Sequence, residues 1–338
     1  MRGFAVMAMV IAVAGCAAKK TGIEAETSSA PAPQGALATR ATPGYPPTAP
    51  AATVPAAPTI TGGSTTLDTR AIEEAVGLTG AVVGDGVFRI TKPRGDLKVA
   101  LDGFAITPRM GLAGWFAFRP HASGALLLGV MPATTDELQV VVSALANAGL
   151  EITAIHPHFS GEEPRITFVH FGGIGNQVAL ARGVRDVLDG IVRVRAAHPL
   201  TPQTADARSE LDAARLDALL GLHGEHDGGV YRVAAPRADL RLREMDVELG
   251  PVLSPATYAA FQGTSERAAV AGELLLLPSE VQPVIHALRG AHLAVVGVHD
   301  VSSRVDPRLV GLSFWGVGRA EALAGGVRKA LDLIARGG

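Results

Sequence analysis

Apolar positions in this chain follow two spacings, and both recur in the same order a second time. After Thr134-Thr135-Asp136-Glu137, which has the form of a helix-capping box, Leu138, Val141, Val142 and Leu145 stand on one helical face. Val281, Val284, Ile285 and Leu288 repeat that face 143 positions on. Runs rich in β-branched, aromatic and aliphatic residues predict strands over 87–91, 115–119 and 126–130 before the helix, and over 152–159 and 165–171 after it. A second helix is predicted over 177–188, entered through Gly172-Gly173-Ile174-Gly175-Asn176. Gly149 and Gly290 lie near the ends of the first helix and its copy, where glycine commonly supplies a left-handed cap.

The duplication is legible in register. Val87-Phe88-Arg89 matches Val230-Tyr231-Arg232, Pro93-Arg94-Gly95-Asp96-Leu97 matches Pro236-Arg237-Ala238-Asp239-Leu240, and Gly183-Val184-Arg185 matches Gly326-Val327-Arg328, each pair 143 apart. Upstream, Gly77 matches Gly221 at 144, so one residue separates the copies in a loop near Gly84. Repeat one spans about 69–191 and repeat two about 211–334, joined by a polar stretch. The fold class read from this is α+β: two tandem copies of a mixed strand and helix unit, packed as a pseudo-symmetric pair.

Composition narrows the function classes. A hydrophobic fraction of 48% supports a buried core, while a net charge of −2 and an aromatic fraction of 4% offer neither the basic footprint nor the stacking surface of nucleic-acid binding. Residues 1–16 read as a signal: Arg2, an apolar run from Phe4 to Val13 too short to span a bilayer, then Val13-Ala14-Gly15-Cys16. That ending resembles a bacterial lipobox, and Cys16 is the single cysteine, so lipidation of Cys16 is expected; ordinary cleavage after Ala14 is the alternative. Ala17 in place of an aspartate implies a lipid-anchored address at the outer membrane, facing the periplasm. Residues 17–66, rich in Ala, Pro and Thr, lack the bulky side chains that would repay ordering, and read as a disordered tether of about 40 Å root-mean-square reach.

What both copies keep serves the fold; what one copy alone has is free to be function. Copy one reads His156-Pro157-His158, Glu162-Glu163-Pro164-Arg165, His170; copy two reads His299-Asp300-Val301, Val305-Asp306-Pro307-Arg308, Ser313. His156 and His158 on one strand and His170 on the next can offer three imidazoles to a transition metal, with Glu162 or Glu163 as ligand or general base; zinc is the first expectation, and copper, iron, manganese and nickel share the donor preference. The condition is antiparallel register: His156 must oppose His170, or His158 must oppose Phe168, through a connection over 160–166 or a tighter turn with a bulge. The alternative is that these are partly buried polar residues, with His156 kept for packing because His299 matches it. Arg165 and Arg308 match, as do Glu163 and Asp306, which reads as an acid and arginine pair fixing the turn or as an anion clamp, Arg165, beside the ion. Gly173 and Gly175 match Gly316 and Gly318 and read as backbone necessity.

Through Pro93-Arg94-Gly95-Asp96-Leu97, Trp115-Phe116-Ala117-Phe118, and His156-Pro157-His158 by way of Glu163-Pro164-Arg165 to His170, the chain resembles the LppY/LpqO-type bacterial lipoprotein family over both repeats. The resemblance implies an anchored, duplicated domain of unassigned reaction. Copy two departs from its pattern at Val301 and Ser313. The expectation taken forward is a membrane-tethered envelope lipoprotein whose first repeat binds a transition metal, for hydrolysis or other small-molecule chemistry. A non-catalytic binder of metal or of a small or cell-wall ligand, or a structural envelope module, are the alternatives.

Overall fold

The computed structural model describes residues 66–200, 209–250, 253 and 256–334. The signal with Cys16, the tether up to residue 65, and most of the link between repeats lie outside the described residues.

Repeat one runs α1 (Thr69–Val76), β1 (Ala81–Gly84), β2 (Val87–Pro93), β3 (Val99–Leu101), β4 (Phe104–Ile106), β5 (Ala113–His121), β6 (Gly124–Thr134), α2 (Leu138–Asn147), β7 (Glu151–His156), β8 (Ile166–Gly175) and α3 (Gln177–Ala197). Repeat two runs α4 (Ala213–Leu220), β9 (Glu225–Asp227), β10 (Val230–Pro236), β11 (Arg243–Glu244), β12 (Val247–Glu248), β13 (Ala256–Gly263), β14 (Ala268–Leu276), α5 (Val281–Gly290), β15 (Ala294–Asp300), β16 (Val305–Asp306), β17 (Val310–Gly318) and α6 (Ala320–Leu331). The main sheets are antiparallel, ordered β1-β2-β5-β6-β8-β7 and β9-β10-β13-β14-β17-β15, so strand for strand the second repeats the first.

Each sheet is buried on both faces along its central strands, which explains why they read as continuous apolar runs instead of alternating ones. Along β6, Ala125, Leu127 and Met131 face a core made with the helices, whereas Leu126, Leu128 and Val130 face cores shared with the other repeat. Along β14, Val270, Leu274 and Leu276 face the helices of their own repeat, while Ala269, Ala271 and Leu275 face repeat one. The arms between the second and third main strands cross over. Residues Leu97 to Leu112 of repeat one pack with Ala260, Ala269, Ala271 and Trp315, and Leu242, Met245, Leu249 and Leu253 of repeat two pack with Val87, Ala117, Leu126 and Leu128. Hydrogen bonds follow the same exchange: Trp315 Nε1 donates to Asp102 at 2.8 Å and Ser303 N to Thr153 O at 3.1 Å. The two units therefore form the pseudo-symmetric pair expected from the duplication.

A buried charge network appears in both copies. Arg94, fully buried, donates to Glu137, Asp96 and Pro132 O, and Arg237 donates to Glu280, Asp239 and Leu275 O. This ties the start of the cross-over arm to the first turn of α2 or α5, so the shared Pro-Arg-x-Asp-Leu motif is structural. Glu137 Oε2 also accepts from Thr134 N, but the Thr134 hydroxyl bonds to Asp136 and Glu137 is itself the residue before α2, so the expected capping box is not completed.

Three expectations change. The helix predicted to end at 188 continues to Ala197, because Val187, Leu188 and Ile191 keep burying against the repeat-one core. Gly149 does adopt a left-handed conformation after α2, at φ 69°, but Gly290 remains inside α5, and the residue 143 positions after Gly149, His292, takes the left-handed place at φ 60°. The strand expected over 152–159 stops at His156, so His158 lies on a bend.

Candidate metal centre

The β7 and β8 hairpin decides whether the histidines meet. His156 opposes Phe168 and Ala154 opposes His170, two residues away from either pairing considered above but of the same parity, so His156 and His170 project from one face. A bulge between Ile152 and Ala154 then shifts the register, and Ile152 opposes Phe171 on the helix side. The irregularity lets one short strand put His156 toward the other repeat and Ile152 into its own core; β15 carries the equivalent shift between Val295 and Gly297. His158, beyond the strand, is held by stacking on Phe168 at 3.8 Å between ring centroids.

One ring nitrogen or another of His156, His158 and His170 lies within 4.8 Å of its counterparts, and among the described residues these three form the mutually close set. His156 Nε2 and His170 Nε2 are 2.9 Å apart. That is a hydrogen bond if one ring is the Nε2 tautomer, and it is also the spacing of neighbouring donors on one ion, since two bonds of about 2.1 Å at a right angle separate their donors by about 3.0 Å.

The other repeat closes the site. His299, the counterpart of His156, stacks on it with centroids 3.3 Å apart. Glu273, in the middle of β14, lies with Oε1 3.2 Å from His299 Nε2 and Oε2 3.6 Å from His158 Nε2. Gly311 makes room for them: a Cβ there would stand 2.5 Å from both Glu273 Oε1 and His299 Nε2. Its counterpart in repeat one is Phe168, the ring under His158. Both nitrogens of His158 and of His299, and the Ser313 hydroxyl that sits opposite Glu273 in the ladder, are buried without a hydrogen-bond partner.

Electrostatics sharpen the picture. Burial pushes the His156 imidazolium down to about 3, with His170 and His299 adding to the effect. Burial likewise pushes His158 down to about 4 and His170 to about 3, against a partial opposing pull from Glu273. Burial alone would raise Glu273, but His158 and His299 outweigh it and hold the carboxyl below its ordinary range. Near neutral pH the centre is thus a desolvated carboxylate facing three uncharged rings of repeat one, with lone pairs free to coordinate. A buried carboxylate whose near neighbours are imidazoles at 3.2 and 3.6 Å is costly, and a cation would offset it.

The acidic residues expected at the site do not join the mutually close set of histidines. Glu162 is buried, but its Oε1 accepts from Ile166 N at 2.9 Å and so closes the loop before β8. Glu163 is exposed and its backbone bridges to Ala100 on the cross-over arm. Arg165 is exposed, and Arg308 pairs with Asp300 at 2.7 Å, not with Asp306, so the acid and arginine pairing of the turn is not formed. Trp115 is partly buried with Arg89 above its ring, and Phe116 is core. His121 accepts locally from Ser123 N. Sequence reading missed Glu273 and used His299 only as the match that would let His156 be kept for packing. The signal was present: Glu273 is the charged position in a strand buried along its whole length, where repeat one has Val130.

A family model described as Domain of Unknown Function (DUF1259) matches twice, over residues 70–190 and 214–333. No curated protein matches the chain. Among solved structures, EtuB from Clostridium kluyveri is 9% identical, covering 76% of this chain and 89% of its own at a TM-score of 0.19. The ethanolamine utilization protein EutL from Leptotrichia buccalis C-1013-b is 12% identical, covering 75% and 94% at 0.17, and EutL from Clostridium perfringens is 10% identical, covering 72% and 91% at 0.17. Superpositions this poor carry no argument about this protein.

Proposed function

The chain belongs to the Domain of Unknown Function (DUF1259) family through both of its repeats, and we propose that it is an envelope lipoprotein of the LppY/LpqO type that binds a transition metal through His156, His158 and His170. The observation that carries this reading is the convergence of three imidazoles within 4.8 Å, with both nitrogens of His158 left buried and unpartnered. Buried polar atoms are ordinarily satisfied, and a metal ion would satisfy the two buried His158 nitrogens beside the hydrogen-bonded pair of His156 and His170. Imidazole donors beside a carboxylate suit zinc first, then copper, iron, manganese or nickel.

Three imidazoles would leave a coordination position for water and hence for metal-assisted hydrolysis, with Glu162 or Glu163 as the base expected from the sequence. Burial favours the non-catalytic alternative, reversible capture of the ion: His156 is 4% exposed and His158 8%, and Glu162 already accepts a backbone amide. The lipobox at Val13-Ala14-Gly15-Cys16 supports anchoring through an acylated Cys16, with the tether carrying the metal centre away from the membrane.

Elemental analysis of protein purified without a histidine tag tests the metal. About one equivalent of a divalent metal, retained through dialysis and lost in a His158→Ala, His170→Ala double variant, is expected. Less than a tenth of an equivalent after reconstitution would remove the proposal.

A further inference from the structure

The three-histidine reading leaves a carboxylate, a fourth imidazole and a glycine-made hollow unexplained, all contributed by repeat two. The geometry points to a single metal site shared by the two repeats, in which Glu273 supplies the anionic ligand and His299 a fourth nitrogen, so that the bound ion fastens one repeat to the other.

Four observations carry this. First, Glu273 lies within 3.6 Å of His158 and 3.2 Å of His299, rings of different repeats, and both of those rings are otherwise unpartnered. Second, the hollow that holds Glu273 and His299 exists because residue 311 is glycine; in repeat one the same strand position is Phe168, which fills that space and supports His158 instead. Third, the four pseudo-equivalent positions are complementary. Val130, His156, His158 and His170 of repeat one stand against Glu273, His299, Val301 and Ser313 of repeat two, so the half that lacks a carboxylate has two extra imidazoles, and the half with one imidazole has the carboxylate. Fourth, His156 and His299 stack directly on one another, which places the shared pair at the pseudo-twofold axis and the asymmetric ligands around it. The two halves together thus offer one heteroligated centre instead of two identical ones. One carboxylate with neutral imidazoles also leaves a divalent ion a net single positive charge in place of two.

The inference rests on the proposal that the three histidines bind metal, and its test separates the two. Cobalt(II) is titrated into untagged full-length protein, following ligand-field absorption and thermal unfolding, in wild type, Glu273→Gln and His299→Gln. Wild type is expected to bind one equivalent with a clear rise in midpoint. Glu273→Gln keeps the side-chain shape and removes a buried charge, so its apo form should unfold at or above the wild-type temperature, which a merely structural carboxylate would not allow. Its metal affinity should fall by more than the about 10–100-fold typical of outer-shell partners. His299→Gln should alter the absorption spectrum and weaken binding. Unchanged affinity and spectrum in both variants, with wild type binding well, would overturn the shared site and leave the three-histidine site standing. No binding by wild type would overturn both.

Discussion

Substituting Gly311 by alanine probes the site with a single methyl group and no change in charge. An added Cβ would lie 2.5 Å from Glu273 Oε1, 2.5 Å from His299 Nε2 and 2.7 Å from His299 Cε1. Ordinary contact begins near 3.5 Å, so these ends must retreat by about 1 Å, several times the roughly 0.2 Å within which metal bonds hold their length. The apo protein can absorb the intrusion, because the obstructing atoms end side chains and are not backbone; about 1–3 kcal/mol of overpacking is the expected cost. A centre that needs both side chains cannot absorb it. If loss of these two ligands lowers affinity about a hundredfold, the metal-dependent stabilisation shrinks by about 2.7 kcal/mol at fixed excess metal. Denaturant unfolding with and without saturating zinc measures both quantities on one sample. Gly311→Ala should retain a cooperative transition while losing most of the separation between the two curves. If the separation persists at its wild-type value, Glu273 and His299 do not touch the ion and the reasoning is wrong.

Other expectations follow from burial and charge. The apo protein should lose stability on acidification from about pH 6.5 towards pH 4: His156, His158 and His170 have folded values near 3 to 4 against 6.5 unfolded, so the unfolded chain takes up more protons in that window and stability is fully present only above it. A urea midpoint that is flat between pH 7.5 and pH 4.5 would contradict this. Arg94→Met should destabilise by about 3 kcal/mol, at the low end for a broken buried ion pair, because Arg195 still reaches Glu137 at 2.7 Å; chemical denaturation reads the loss, and a change below about 1 kcal/mol would show that the network is not structural. Cys16→Ala should move the protein from the detergent phase to the aqueous phase on cloud-point partitioning; continued partition into detergent would exclude Cys16 as the anchor.

Helix and strand runs, the 143-residue duplication and the paired charge motif are local or periodic properties, and each was readable because one residue type at one spacing suffices to state it. The convergence of His156 with His170 was readable only as a parity condition, since the connection after β7 sets the register, with His156 opposite Phe168, and no residue there announces it. Helix α3 was read short because tertiary burial of Val187, Leu188 and Ile191, not a capping signal, keeps it going. Glu162 and Glu163 attracted attention by their nearness in sequence to the histidines, yet the chain spends them on loop closure and exposure.

By itself, then, the sequence determined two copies of an α+β unit and singled out three candidate imidazoles held by one copy alone. Only the tertiary structure decided that a carboxylate 103 positions beyond His170 faces those rings, because Glu273 reaches them across an interface between two sheets whose packing is fixed by exchanged arms. The physical reason is that side-chain direction along a strand is a local property, whereas which opposing face a strand meets depends on burying both sheets at once.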